Sequence, residues 1–250
     1  MLGGIKADRE WKWSAYGKHP AAKDYFRIGR GVPLASAFSA WVERGYARFA
    51  AKGRPLNPPA SWRFWTRESV EGRMACGILK DSADAVGRPY PLLIMGSGPV
   101  PGWENHWELA PSACESAWTQ MEYISARSIA DVKSLEAEIQ KMNAPSADWR
   151  DLEEKRKSVK ETGLEALKNR VRHLSGEDPV LCLDGELYED FDLIDACHRF
   201  LRAESIDPPN AVFMGGIALH TYLAVFRRAL TESDFMRLWS LSDEKTAVIN

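Results

Sequence analysis

The sequence predicts an α/β fold: a mixed, largely antiparallel sheet flanked by helices in three layers, helix on sheet on helix, with an inserted helical hairpin. Three observations predict it. Short apolar and aromatic runs separated by Gly- and Pro-rich turns crowd the first hundred residues, too closely spaced for long crossover helices. Runs with apolar residues three and four apart alternate with these strand candidates. A highly charged stretch at about 125–175 keeps only a narrow apolar stripe, as a paired helical insertion would. With no internal repeat or flexible linker, the chain is expected to form a single domain over 1–250.

In order, Trp11 to Tyr16 alternates as a strand should and stops at Gly17. The following stretch to Val32 is rich in turn residues. Pro33 suits the first turn of a helix, and Leu34, Phe38, Trp41, Val42, Tyr46 and Phe49 then share one helical face. Gly53 ends that helix, and the prolines at 55, 58 and 59 keep the next segment extended. Ser61–Thr66, Arg73–Leu79 and Tyr90–Met95 are strands, the third delayed by Pro89 and Pro91, with 96–101 as a closing turn. One helix or two span Trp107–Arg127. A helix carrying Ile129, Val132, Leu135, Ile139 and Met142 is followed by a break at 143–146, then by a charged helix from Leu152 to Leu174 capped by Asp148 or Ser146. Pro179–Leu183 is a short strand and Tyr188–Ala203 a helix. Ala211–Met214 and Tyr222–Phe226 are strands, and Thr231 caps a last helix bearing Phe235, Leu238 and Trp239.

Charge excludes some functions. Lys and Arg number 33 against 35 Asp and Glu, so no global positive field is present to grip nucleic acid or an anionic membrane. No apolar run approaches the roughly 20 residues of a membrane span, and the charged first 13 residues lack the apolar middle of a signal peptide, so a cytoplasmic location is expected. Cys76, Cys114, Cys182 and Cys197 lie far apart and read as reduced, small buried hydrophobes rather than disulfides or zinc ligands. Ten tryptophans are unusual; most belong in the core, with one or two left for an interface.

Catalytic patterns are missing. There is no phosphate-binding loop, nucleophile elbow or HExxH pair, and Gly96-Ser97-Gly98 reads as a turn before it reads as an anion cradle. The acids at 184, 186, 189, 190 and 192 lack calcium-loop spacing and suit a helix start. Cys182 and His198 are the right types for a nucleophile and base, with nothing local to pair them. No catalytic residue, metal site or cofactor is assigned.

Two segments carry a more specific signal. The first is Gly17-Lys18-His19-Pro20-Ala21-Ala22-Lys23-Asp24-Tyr25-Phe26, followed by the helix with Phe38 and Trp41. The second is Trp62-Arg63-Phe64, then Gly77, then Asp81 to Leu92 with Asp84, Gly87, Arg88 and Pro91. In order and spacing they resemble the TagF family of type VI secretion, with its G-K-x-P-x-x-G-D-F and S-x-D-x-V-G-R-x-[FY]-P-L patterns. The resemblance is clear over about 11–97 and fainter at 210–216 and 223–239. Lys23 departs from it, standing where the family has glycine, and 125–175 looks like an insertion. The resemblance implies a non-enzymatic accessory regulator, a post-translational repressor binding the forkhead-associated scaffold protein or its neighbours. The residues it marks are Gly17, Lys18, Pro20, Asp24, Phe26, Trp41, Asp84, Gly87, Arg88 and Pro91, as partner-binding or motif-structural positions. Physically, Gly87 would allow a tight turn presenting Asp84 and Arg88 on one side, with Lys18 and Asp24 alongside, as a charged rim. The plainer alternative is that these charges pair with one another or cap backbone groups. Two other functional readings are a hydrolase without a recognisable motif and an adaptor using the helical hairpin.

Overall fold

The computed structural model describes residues 10–29, 32–53, 59–156, 165–174, 179–183, 190–217 and 220–244. Its frame is one eight-stranded sheet in the order β2-β1-β5-β4-β3-β7-β8-β6. The strands are β1 (Lys12–Gly17), β2 (Phe26–Ile28), β3 (Ala60–Arg67), β4 (Arg73–Lys80), β5 (Leu92–Pro99), β6 (Val180–Cys182), β7 (Ala211–Ile217) and β8 (His220–Phe226). Every neighbouring pair runs antiparallel, so the expected largely antiparallel sheet carries no parallel pair among the described residues.

Side chains alternate across this sheet and divide the core in two. Trp65, Met74, Cys76, Ile78 and Ile94 face α2 (Ala110–Ala126), α3 (Val132–Ile139), α5 (Glu165–Arg172) and α6 (Asp190–Glu204). Trp62, Phe64, Leu79 and Phe213 face α1 (Pro33–Ala51) and α7 (Glu232–Glu244). These are the expected three layers. Helices α1 and α7 approach closely because α1 offers Gly45, where a Cβ would lie 2.4 Å from Phe235 Cβ and Cγ. Thr231 stands just before α7, where a cap was expected, but its side chain acts as a donor: the Asp234 carboxylate accepts both the Thr231 N–H and its hydroxyl, at 2.7 and 2.9 Å.

Three differences from the sequence expectation have local causes. β2 sits where only turns were expected, because three residues pairing Ile28 with Ala15 give too short an alternation to stand out. β5 runs through Gly96 and Gly98 instead of turning there. The two glycines leave room for indole rings from β1: a Cβ on Gly96 would meet Trp13 at 2.2 Å, and one on Gly98 would meet Trp11 at 2.6 Å. Third, the charged stretch holds short helices. Asp131 caps α3 by accepting from the Ser134 amide, and Asp148 caps α4 (Trp149–Lys155) by accepting from the Asp151 amide. Residues 157–164, which separate α4 from α5, lie outside the described residues, as do the acids at 184, 186 and 189.

Tryptophan placement follows the expectation that most belong in the core. Trp13, Trp41, Trp62, Trp65, Trp103, Trp107, Trp118 and Trp239 are buried. The half-buried Trp11 and Trp149 give their indole N–H groups to the carbonyls of Pro99 and Pro101. All four cysteines are unbridged, with Cys76, Cys114 and Cys197 buried.

Candidate functional site

β1 ends, β5 begins, β4 ends and β3 begins at the same end of the sheet, as their registers require. The loop after β1 (residues 18–25) and the loop between β4 and β5 (81–91) therefore stand side by side. They are tied by the Ala85 amide donating to the Ala22 carbonyl at 2.8 Å, and by Arg88 Nη2 donating to the Lys23 carbonyl at 2.6 Å.

Asp84 organises the pair. Its side chain is wholly buried, and its Oδ2 takes Lys18 Nζ at 3.0 Å and Arg88 Nε at 2.7 Å. Its Oδ1 accepts the amides of Val86 and Arg88 at 3.1 and 3.0 Å. Gly87, with φ +83°, closes the turn that folds these amides back. Burial acts to raise the Asp84 pKa, but the Arg88 amide, the Lys18 ammonium, the Arg88 guanidinium and the Val86 amide outweigh it and hold the carboxyl well below the ordinary range. Gly17 has a different task. At φ +121° its α-carbon packs so closely that a Cβ would lie 2.0 Å from the Pro91 carbonyl oxygen. Lys23 needs no glycine-like geometry, since no residue other than glycine takes positive φ among those described.

The charged rim is thus of another kind than the one expected from the motif alone. Asp84 and Lys18 are buried partners rather than presented groups, whereas Arg88 and Asp24 stay more than half exposed and meet at 3.7 Å. Pro20 is exposed on the first loop and Pro91 is buried beside Gly17. Phe26 and Trp41 lie apart from this rim, one in each core layer, and Trp41 bonds the Thr231 carbonyl at 2.7 Å.

Two residues that motif reading passed over dominate the outer surface. Tyr25 is 54% exposed and Val86 68% exposed, one on each loop. Tyr25 stands edge-on to Tyr90, whose ring also meets Tyr46 and Tyr16, and Lys18 Nζ lies 4.8 Å from the Tyr25 ring centre. Nothing in the string Lys-Asp-Tyr-Phe tells which of the two aromatics turns outward; the β2 pairing decides it by sending Phe26 inward.

The matched Arg63 points to the opposite side of the strand from Trp62 and Phe64, towards α2. There Glu122 takes it in a two-pronged pair at 2.7 and 2.8 Å and Glu115 adds a third bond at 2.8 Å. This triad walls a concavity of about 530 Å³ with Ile194 and Met214. His198 serves no nucleophile: its Nε2 accepts from Trp65 and its Nδ1 donates to the Ile194 carbonyl, and burial lowers its pKa to about 4. Among the described residues no three His, Cys, Asp or Glu side chains gather as a metal site would require. No described helix is long and apolar enough to cross a membrane.

The family model of the TagF N-terminal domain, described as type VI secretion system-associated, matches residues 14–144 and so covers both loops, Arg63 and the sheet from β1 to β5. The chain belongs to the TagF family. Among curated proteins no relative matches. The TagF fold seen here is similar to the crystal structure of PA0076 from Pseudomonas aeruginosa PAO1, at 15% sequence identity and a TM-score of 0.50, over 91% of this chain and 93% of that one. At that identity the likeness concerns the fold alone. It extends beyond the TagF match, into the half of the sheet that β6, β7 and β8 complete.

Proposed function

We propose that this type VI secretion-associated protein is a non-enzymatic, cytoplasmic repressor that acts after translation by binding the forkhead-associated scaffold protein through its paired loops. The observation that supports this reading is the buried Asp84 network. It fixes two loops to each other and leaves Tyr25, Val86 and Arg88 outside as a preorganised patch of two apolar side chains and a guanidinium. Rigid aromatic and arginine side chains are the usual anchors of protein interfaces, because little conformational freedom is lost when they are covered. Catalysis finds less support there. Asp84 has both oxygens engaged and no exposed surface, so neither a substrate nor a water reaches it.

Calorimetric titration of the purified protein with the forkhead-associated scaffold tests the reading, alongside effector secretion from cells that overproduce either form. The parent protein is expected to bind and to suppress secretion. Tyr25→Ala combined with Val86→Asp is expected to lose both while keeping its melting temperature. Full binding and repression by that variant would refute the role of this surface.

A further inference from the structure

The turn that opens the first of the paired loops is held by a histidine side chain. His19, Pro20, Ala21 and Ala22 form a β-turn in which the Ala22 amide donates to the His19 carbonyl at 2.9 Å, with Pro20 in the second position, which suits its fixed φ. Inside the turn the Ala21 amide donates to His19 Nδ1 at 3.0 Å. The Ala22 carbonyl then takes the Ala85 amide at 2.8 Å and so ties this turn to the second loop. Nδ1 accepts only while it carries no proton, so the ring is neutral with its proton on Nε2. The ring is completely buried, and Nε2 has no hydrogen-bond partner among the described residues. Its surroundings resist a second proton. The Ile124 carbonyl of α2 favours a charged ring, but burial and the positive charge of Lys80 on β4 outweigh it. The neighbouring Lys18 and the Asp84 carboxylate across the loops are committed to each other.

We propose that His19 is a proton-operated latch on the paired loops: protonation of Nδ1 sets N–H against N–H at Ala21, breaks the turn and frees residues 18–25 from residues 81–91. The surface carrying Tyr25 and Val86 is then preorganised only while the ring is neutral. The latch belongs to the loops themselves, whichever partner covers them. The closed turn binds the proton more weakly than the open one, whose histidine has the ordinary pKa of 6.5. Closure is therefore at full strength above that value and weakens as the pH falls below it.

Amide hydrogen exchange of the full chain, corrected for the intrinsic effect of pH on exchange, reads this opening at pH 7 and at pH 5.5. Between the two, the opening equilibrium of residues 18–25 and 81–91 is expected to rise up to about tenfold in the parent. His19→Asn keeps an oxygen that can accept the amide two residues on and removes the titration, so its loops should stay equally protected at both values. His198→Gln should leave the loop response in place, because the His198 ring bonds Trp65 towards the far end of β3. A change of less than about twofold in the parent, or a pH response that survives in His19→Asn, overturns the proposal. Should His19→Asn be poorly folded at pH 7, the ring of the parent decides. Its nitrogen NMR shifts must then show an unprotonated Nδ1 at pH 7 and a titration that runs together with loop opening. Titration of the ring while the turn stays closed overturns the latch.

Discussion

Trp239, on α7, donates its indole N–H to Asp81 Oδ1 at 3.0 Å, while Asp81 Oδ2 accepts the Ala60 amide at 2.7 Å. The last helix thus holds the first residue of the β4–β5 loop, on which Asp84 and Arg88 stand. Asp81 is half-buried, and burial raises its pKa against the pull of the Ala60 amide and the Trp239 indole.

Trp239→Phe should keep the stack on Phe235, now 4.5 Å between ring centres, and remove the donor. A loss of about 1–2 kcal/mol is expected in urea unfolding. With one opposing bond gone, the Asp81 pKa rises further. A carboxyl whose folded pKa is raised favours the fold at low pH and loses that contribution as pH rises through the folded value. The deficit of Trp239→Phe relative to the parent should therefore grow from pH 4 towards neutrality.

His198 gives the opposite slope. Its pKa is lowered to about 4 by burial, against an ordinary 6.5. The unfolded chain takes up this proton first, so stability falls as pH drops from about 6.5 to about 4, by about 3 kcal/mol in total. His198→Gln should flatten that part of the pH–stability curve. A residual slope is expected from His19, whose Nδ1 accepts the Ala21 amide at 3.0 Å and whose pKa burial also lowers.

Gly17 and Gly87 both take positive φ, but only Gly17 is crowded, against Pro91. Gly87→Ala should cost about 1 kcal/mol of backbone strain, recovered in part by Gly87→Asn. Gly17→Ala must also displace the Pro91 carbonyl and should cost about 3 kcal/mol or more, measured by denaturant unfolding.

Asp84→Asn should be the most damaging loop substitution, because it leaves the Lys18 ammonium buried with no carboxylate. Limited proteolysis is expected to open residues 18–25 and 81–91 together. Adding Lys18→Met should restore part of the loss, a coupling that a double-mutant cycle reads directly. The depressed Asp84 pKa places its own acid sensitivity well below that of His198, as pH falls through the folded Asp84 value.

Much of this fold was legible because its signals are local. The α1 face is written in Phe38, Trp41, Val42 and Phe49, and the cap at Asp148 and the Thr231–Asp234 pair are short-range chemistry. What stayed hidden depends on partners distant in sequence. Gly96 and Gly98 look like punctuation until Trp13 and Trp11 are placed over them from another strand. Lys18 and Asp84 look like surface charges until each is seen to bury the other. Tyr25 and Phe26 are interchangeable on paper, and only pairing with β1 turns one inward.

The strand order has a consequence for how the protein is made. β3 is central in the sheet, paired with β4 on one side and with β7 on the other. On a ribosome adding roughly 5–20 residues per second, the strand that covers this second side emerges many seconds after β3 itself. Until then β3 offers a naked edge on an aromatic strand, with Trp62 and Phe64 on one face and Trp65 on the other, which is a template for unwanted pairing. The stretch matched as a TagF N-terminal domain ends at residue 144, before β7 is made. A fragment cut there would keep the paired loops and lose the partner of β3, so work on those loops calls for the whole chain.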